Sequence, residues 1–310
     1  MFQLVQRRKY YFTFSGIVLG LGILFMIIST VRTGAPFNLG VDFRSGTRFE
    51  LQFENTVTEG AIRGVFQDAG INNPSVIALT GEGLTNAWQI RSEFVTPEIT
   101  EALVDNLETD LSPLIEGTTQ IQSVSPTVGQ EVTRAAMVAI VVAAVVILFY
   151  IMAVFREVPN PLRYGACAVA AMVHDLFIIF GFMAVMGMVL GWEVDALFLT
   201  AVLTVAGFSL QDTIVVFDRI RENIIRQRNE RFEIIVNRSI LETIHRSLAT
   251  QLAAMFIMVA LLFFGGASIK HFIAVLFVGL LSGTYSSIFT AVPLLVAWEQ
   301  GEIPFLNNEA

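Results

Sequence analysis

Asp175, Asp212 and Arg246 are ionisable residues placed within or at the edge of long apolar stretches. A charge in such a stretch is costly, so each one is a candidate for function. An isolated carboxylate in lipid has to hold a proton or find a partner. Asp175 follows His174. Asp212 follows Ser209 and Gln211 and precedes Thr213, so polar support lies close in sequence. The spacing puts Asp175 and Asp212 on neighbouring helices that can share a polar interior, with Arg246 as counter-charge. A carboxylate that either holds a proton or pairs with arginine is the working part of a proton relay. The plainer alternative is a fixed ion pair that ties three helices together. Arg246 also sits where an arginine simply reaches for the membrane surface.

Other chemistry is poorly supported. There is no glycine-rich phosphate loop and no HExxH pair for zinc. His174, His245 and His271 lie on different segments, and Cys167 is the single cysteine, which excludes an internal disulfide and a cysteine-based metal cluster. A paired-aspartate membrane protease would need Gly-Asp contexts, whereas Asp212 follows Gln211. Neither a cofactor nor a metal is expected. With no basic patch, no nucleic-acid partner is expected either.

The composition explains why these few charges matter. Of 310 residues, 54% are hydrophobic and 15% charged, against about 25% charged in soluble proteins. Six stretches are long enough to span a bilayer: roughly 12–31, 132–153, 163–187, 194–216, 247–266 and 270–297. The first reads as an uncleaved anchor, being too long for a signal-peptide core. Basic residues cluster on one side: three before the first span, Arg156 and Arg163 in the 154–163 loop, and seven arginines between 217 and 246. The opposite loops, 188–193 and 267–270, hold only Lys270. The basic side is expected to be cytoplasmic, with both termini inside a multi-pass membrane chain. The expected divisions are 1–31, 32–131, 132–300 with a basic loop at 217–246, and a tail at 301–310.

The 32–131 segment carries 14 Asp/Glu and 5 Lys/Arg and is expected to fold as a separate extracytoplasmic domain. Alternation over 47–54 predicts a strand, and 58–69 a helix with Ile62, Val65 and Phe66 on one face. Strands at 75–79 and 87–91 follow. Thr96-Pro97-Glu98 opens a second helix to about Leu111, and 119–124 is a last strand. The order βαββαβ predicts a ferredoxin-like α+β domain joined to a polytopic α-helical membrane bundle. Glycines four apart, Gly16/Gly20 and Gly279/Gly283, together with Gly207, suggest close helix contacts, or no more than ordinary bundle packing.

The longest patterns carry a resemblance. Residues 40–47, Gly-Val-Asp-Phe-Arg-Ser-Gly-Thr, resemble the GxDFxGG-like motif that leads into the first outside domain of the SecD/SecF family. Residues 207–223, GFSLQDTIVVFDRIREN, resemble that family's fourth-helix signature G-Y-S-x-N-D-T-V-V-x-F-D-R-I-R-E-N. His174-Asp175, the 237–250 segment and Gly283-Thr284-Tyr285-Ser286-Ser287 fit its third, fifth and last helices. Phe208, Gln211 and Ser45 depart from the usual residues without removing a titrating group. The resemblance implies a SecF-type export subunit of the RND superfamily. It would use the proton-motive force with SecD, beside the SecYEG channel, SecA and YajC, to move preprotein clients across the lipid bilayer. It further implies roles in proton use for Asp212 and for Arg246, 34 residues later, and a less defined one for Asp175. Two other readings remain: a proton-coupled transporter of lipids or small molecules, which would need a second half, and a purely structural translocon subunit.

Overall fold

The computed structural model describes residues 4–72, 74–81, 84–227 and 229–303. The last seven residues of the expected tail, and Arg228 of the expected basic loop, lie outside them. The chain divides into two compact units, residues 39–137 and residues 1–38 with 138–310.

The smaller unit is the expected split βαβ. A four-residue helix α2 (Val41–Arg44) precedes β1 (Gly46–Gln52), α3 (Glu59–Asp68), β2 (Ser75–Gly81), β3 (Leu84–Ser92), α4 (Pro97–Asp110) and β4 (Gln120–Val124). The sheet order is β2-β3-β1-β4, antiparallel throughout. Alternation puts Phe49 and Leu51 of β1 on the helix side, where they meet Ile62, Phe66, Leu103 and Leu107. Phe49 and Phe66 pack edge to face at 5.2 Å. Thr58 caps α3 by accepting from the Ala61 amide, and Pro97 starts α4, where a missing N–H costs nothing.

Gly46 leads into β1 with φ +127°, and a Cβ there would stand 2.5 Å from the Ser92 carbonyl oxygen. Only glycine fits. The preceding residue, Ser45, also has positive φ, +63°.

Among the described residues the larger unit holds six helices long and apolar enough to cross a membrane, as a multi-pass membrane protein requires. They are α1 (Arg8–Thr33), entered through a 3₁₀ turn, α5 (Pro126–Val154), whose first turns belong to the smaller unit, α6 (Pro161–Leu190), α7 (Ala196–Arg226), α8 (Phe232–Phe264), and α9 (Ala267–Ser286). A π turn (Ser287–Ala291) joins α9 to α10 (Val292–Glu299), completing the sixth span. About half of the apolar window of α6, α7 and the sixth span is buried within the chain, against 11% or less in α1, α5 and α8. The first three therefore form the interior and the others line it.

One expectation fails. Residues 217–246 do not form a loop: α7 continues to Arg226 and α8 begins at Phe232. The reason is amphipathicity beyond the apolar window. Phe217, Ile220 and Asn223 of α7 face Val236, Ser239 and Ile240 of α8. The arginines lie outward in pairs, Arg219 with Glu222 and Glu242, Arg221 with Asp218, and Arg238 with Glu230. Hydropathy marks where lipid would end, and these helices extend past that point. At the same end Arg8 binds Glu233, Gln300 and Glu302, joining both ends of the described chain. Arg8 holds the Glu302 carboxyl below the usual carboxylate range, chiefly through that hydrogen bond.

Candidate functional site

Asp175 lies midway along α6 and is completely buried. Three hydroxyls donate to it: Ser209 of α7 at 2.6 Å, and Ser282 and Ser286 of α9 at 2.6 and 2.7 Å. Ser282 and Ser286 are one turn apart and so share a face of α9. His174 Nδ1 lies 3.1 Å from Oδ1 of the same carboxylate, the oxygen that Ser282 also contacts. A carboxylate with three short hydroxyl donors is fully solvated by protein, and it ties three helices together.

Asp212 lies one turn beyond Ser209 on the inward stripe of α7, which also carries Thr213 and Val216. Its partner is the Gln251 amide of α8, Nε2 to Oδ2 at 2.8 Å. Thr213 is buried and donates to the Ser209 carbonyl at 3.0 Å. The two carboxylates thus occupy successive levels of one polar seam along α7. Asp175 faces α9 and Asp212 faces α8, with Ser209 between the levels. The groups that hold them are hydroxyl, imidazole and amide. Such groups can serve either form of a carboxyl: Gln251 offers N–H to a carboxylate and C=O to a carboxylic acid.

Several expectations are corrected by this geometry. Arg246 is exposed and forms no ion pair with either aspartate among the described residues. The inward stripe of α8 runs through Thr243, Ser247 and Gln251. Arg246 precedes Ser247 by one residue, which is about 100° of helix rotation. Gln211 is exposed for the same reason, one residue ahead of the inward Asp212. Gly207, Gly16 and Gly20 have open space where a Cβ would stand and close no contact. Gly279 and Gly283 do permit close packing. A Cβ on Gly279 would come within 2.3 Å of Val205, and one on Gly283 within 3.3 Å of Ser209. His174 stands beside Asp175, and Ser209, placed by the sequence only as a neighbour of Asp212, reaches Asp175 as well.

Sequence reasoning missed Ser282 as a ligand of Asp175 and Gln251 as the partner of Asp212. Both are buried polar residues of apolar helices, which was the available signal. It also missed a close helix crossing. Gly22 of α1 meets Gly181 of α6, so that a Cβ on Gly181 would stand 2.7 Å from the Gly22 Cα. The two glycines lie on different helices, and no spacing within one helix shows that.

Comparison with known proteins agrees with this architecture. The family profile described as protein export membrane protein SecD/SecF, C-terminal, matches residues 90–301, and the SecD/SecF GG motif matches residues 33–57. The protein translocase subunit SecF of Thermobaculum terrenum is 41% identical over 309 residues, covering 96% of this chain and 94% of that protein. SecF of Anaerolinea thermophila is 38% identical, covering 97% and 96%. The crystal structure of SecDF from Thermus thermophilus, described as a translocon-associated membrane protein, superposes with a TM-score of 0.78 at 28% identity over 96% of this chain. This chain spans 39% of that longer one. With a family profile covering most of its length and end-to-end relatives of the same architecture, the chain belongs to the SecD/SecF family of protein export membrane proteins.

Proposed function

We propose that this chain is a SecF-type translocase subunit that couples proton movement to protein export. Its relatives of equal length are named protein translocase subunit SecF. Its counterpart would be SecD, because a Bacillus subtilis relative is named SecDF and this chain spans only 38% of it. SecYEG, SecA and YajC are the further partners the family reading brings. The chain would lie in the bacterial inner membrane with the arginine-rich helix ends and both termini in the cytoplasm. The 39–137 domain would then face the outer side, where clients emerge. No cofactor or hydrolytic step is invoked, and the proton gradient is the energy source.

The observation that carries this reading is Asp212, buried inside the span bundle and hydrogen-bonded by the neutral Gln251 amide. Either protonation state of Asp212 can be satisfied by turning that amide. The charge on α7 can therefore change without leaving a buried group orphaned. Such a change biases how α7 and α8 pack, and moves the energy of a proton into helix position. Arg246, exposed one helical face away on α8, would act in an arrangement other than the one described, by turning toward α7.

The test is export of a secreted reporter in cells carrying this chain and its cognate SecD, with the proton gradient intact and then collapsed. Wild type and Asp212→Asn are first shown to assemble equally. Gradient-dependent export with wild type alone supports the coupling. Equal export with both variants overturns it and favours a structural subunit.

A further inference from the structure

The reading above leaves the buried Asp175 cluster, and His174 within it, unused. Its Nδ1 faces Asp175, while its Nε2 is buried and has no hydrogen-bond partner among the described residues. A neutral imidazole that donates from Nδ1 presents Nε2 as an acceptor. The ring lies face to face with Tyr285 of α9, with centroids 6.3 Å apart and planes 26° from parallel. The Tyr285 hydroxyl donates to the Tyr11 carbonyl at 3.0 Å and accepts from Ser15 at 3.3 Å. Ser15 Oγ also lies 3.4 Å from Thr290 Oγ1, in the π turn. Ser15 is buried, whereas Tyr285 and Thr290 are partly exposed. Tyr11 lines an open pocket of about 450 Å³ with Arg7 and Tyr10, at the start of α1.

We infer that the Ser15–Tyr285–Thr290 hydroxyl cluster carries protons between that pocket and the His174–Asp175 pair. This inference rests on the proton-coupled reading above and adds a route to it. On this account water enters from the pocket past Tyr11, whose carbonyl the Tyr285 hydroxyl meets, since the hydroxyls do not themselves line it. A proton passed along them, and over a last water, forms a new bond to Nε2. The Nδ1 proton then breaks away to Asp175 Oδ1. The imidazole ends neutral with its tautomer reversed, and Asp175 ends as the carboxylic acid. The serine hydroxyls that donated to Asp175 can turn to the adjacent backbone carbonyls, as Ser286 already does toward Gly283 at 3.3 Å. The π turn fits this use: its wider coil offsets Thr290 from the α-helical register, and π turns recur at functional sites. Tyr285 is on this account a positioning and relay residue.

The experiment uses vesicles that hold the full chain with its SecD partner and enclose a pH-sensitive dye. An imposed proton gradient drives flux, which is compared for wild type, Tyr285→Phe, Ser15→Ala and Asp212→Asn. Tyr285→Phe keeps the ring and its stacking and removes only the hydroxyl. It is expected to slow flux by about tenfold or more, since a positioned proton-transfer group contributes at least that much. Ser15→Ala should act in the same direction, and it decides the matter if the Phe variant fails to assemble. Wild-type flux in both hydroxyl variants, with flux lost in Asp212→Asn, overturns the relay and leaves the proton-coupled reading standing. No flux above empty vesicles with wild type overturns both.

Discussion

Ser45 holds φ +63°, a conformation that L side chains seldom adopt, directly before a glycine that has no alternative. Backbone strain of this kind costs on the order of 1–3 kcal/mol per residue. Ser45→Gly should therefore stabilise the sheet domain by about 1 kcal/mol, while Gly46→Ala should disrupt the β1–β3 edge at Ser92. Hydrogen exchange of β1 and β3 amides in the full chain reads both, and faster exchange in Ser45→Gly would refute the strain argument. The GG-type signature at this place was visible in the sequence, and its physical meaning was not. It took the Ser92 carbonyl, 46 residues away, to show why position 46 tolerates no Cβ. Asp175 and Asp212 were legible as candidates because a charge in an apolar run is conspicuous. Their partners were less so. Gln251 and Arg246 are both polar residues of α8, and only rotation about the helix axis separates the one that faces Asp212 from the one that does not.

Helix packing divides the glycines in a way that spacing alone did not. Gly279 presses against Val205 and Ile179, so α9 meets both α7 and α6 there. Gly279→Val should part these helices, lower the melting temperature of the purified complex and weaken the serine contacts to Asp175 three and seven residues further on. Gly207→Ala should change nothing measurable, because its Cβ would enter open space. A melting temperature unchanged in Gly279→Val would mean that the bundle can relax around the extra atoms. The four strands and the helices α3 and α4 of the 39–137 unit were legible to within a few residues, since alternation and capping residues are local signals, whereas the four-residue α2 was not foreseen. The ends of α7 and α8 were not. Hydropathy falls where arginines begin, yet the inward face stays apolar for two or three further turns and the helix follows it.

Across the whole molecule, burial separates an inner set of α6, α7 and the sixth span from an outer set of α1, α5 and α8. The inner set contains both aspartates, and α7 is the least apolar of the six spans. That arrangement bears on how the chain is made. A carboxylate at mid-helix weakens membrane insertion by about 2.5–3.5 kcal/mol, and α6 and α7 each carry one. The two helices are consecutive, only five residues apart, and the Ser209 hydroxyl of the second meets the Asp175 carboxylate of the first. Together they enter lipid with one acid already solvated. During biosynthesis α6 should therefore integrate less well as a lone segment than as a hairpin with α7; Ser209→Ala should weaken that cooperation and Asp175→Leu should make it unnecessary. A glycosylation-site insertion assay on the two segments, separately and joined, measures it. The polar seam that serves the finished bundle is thus also a condition on the order in which its helices can leave the insertion machinery.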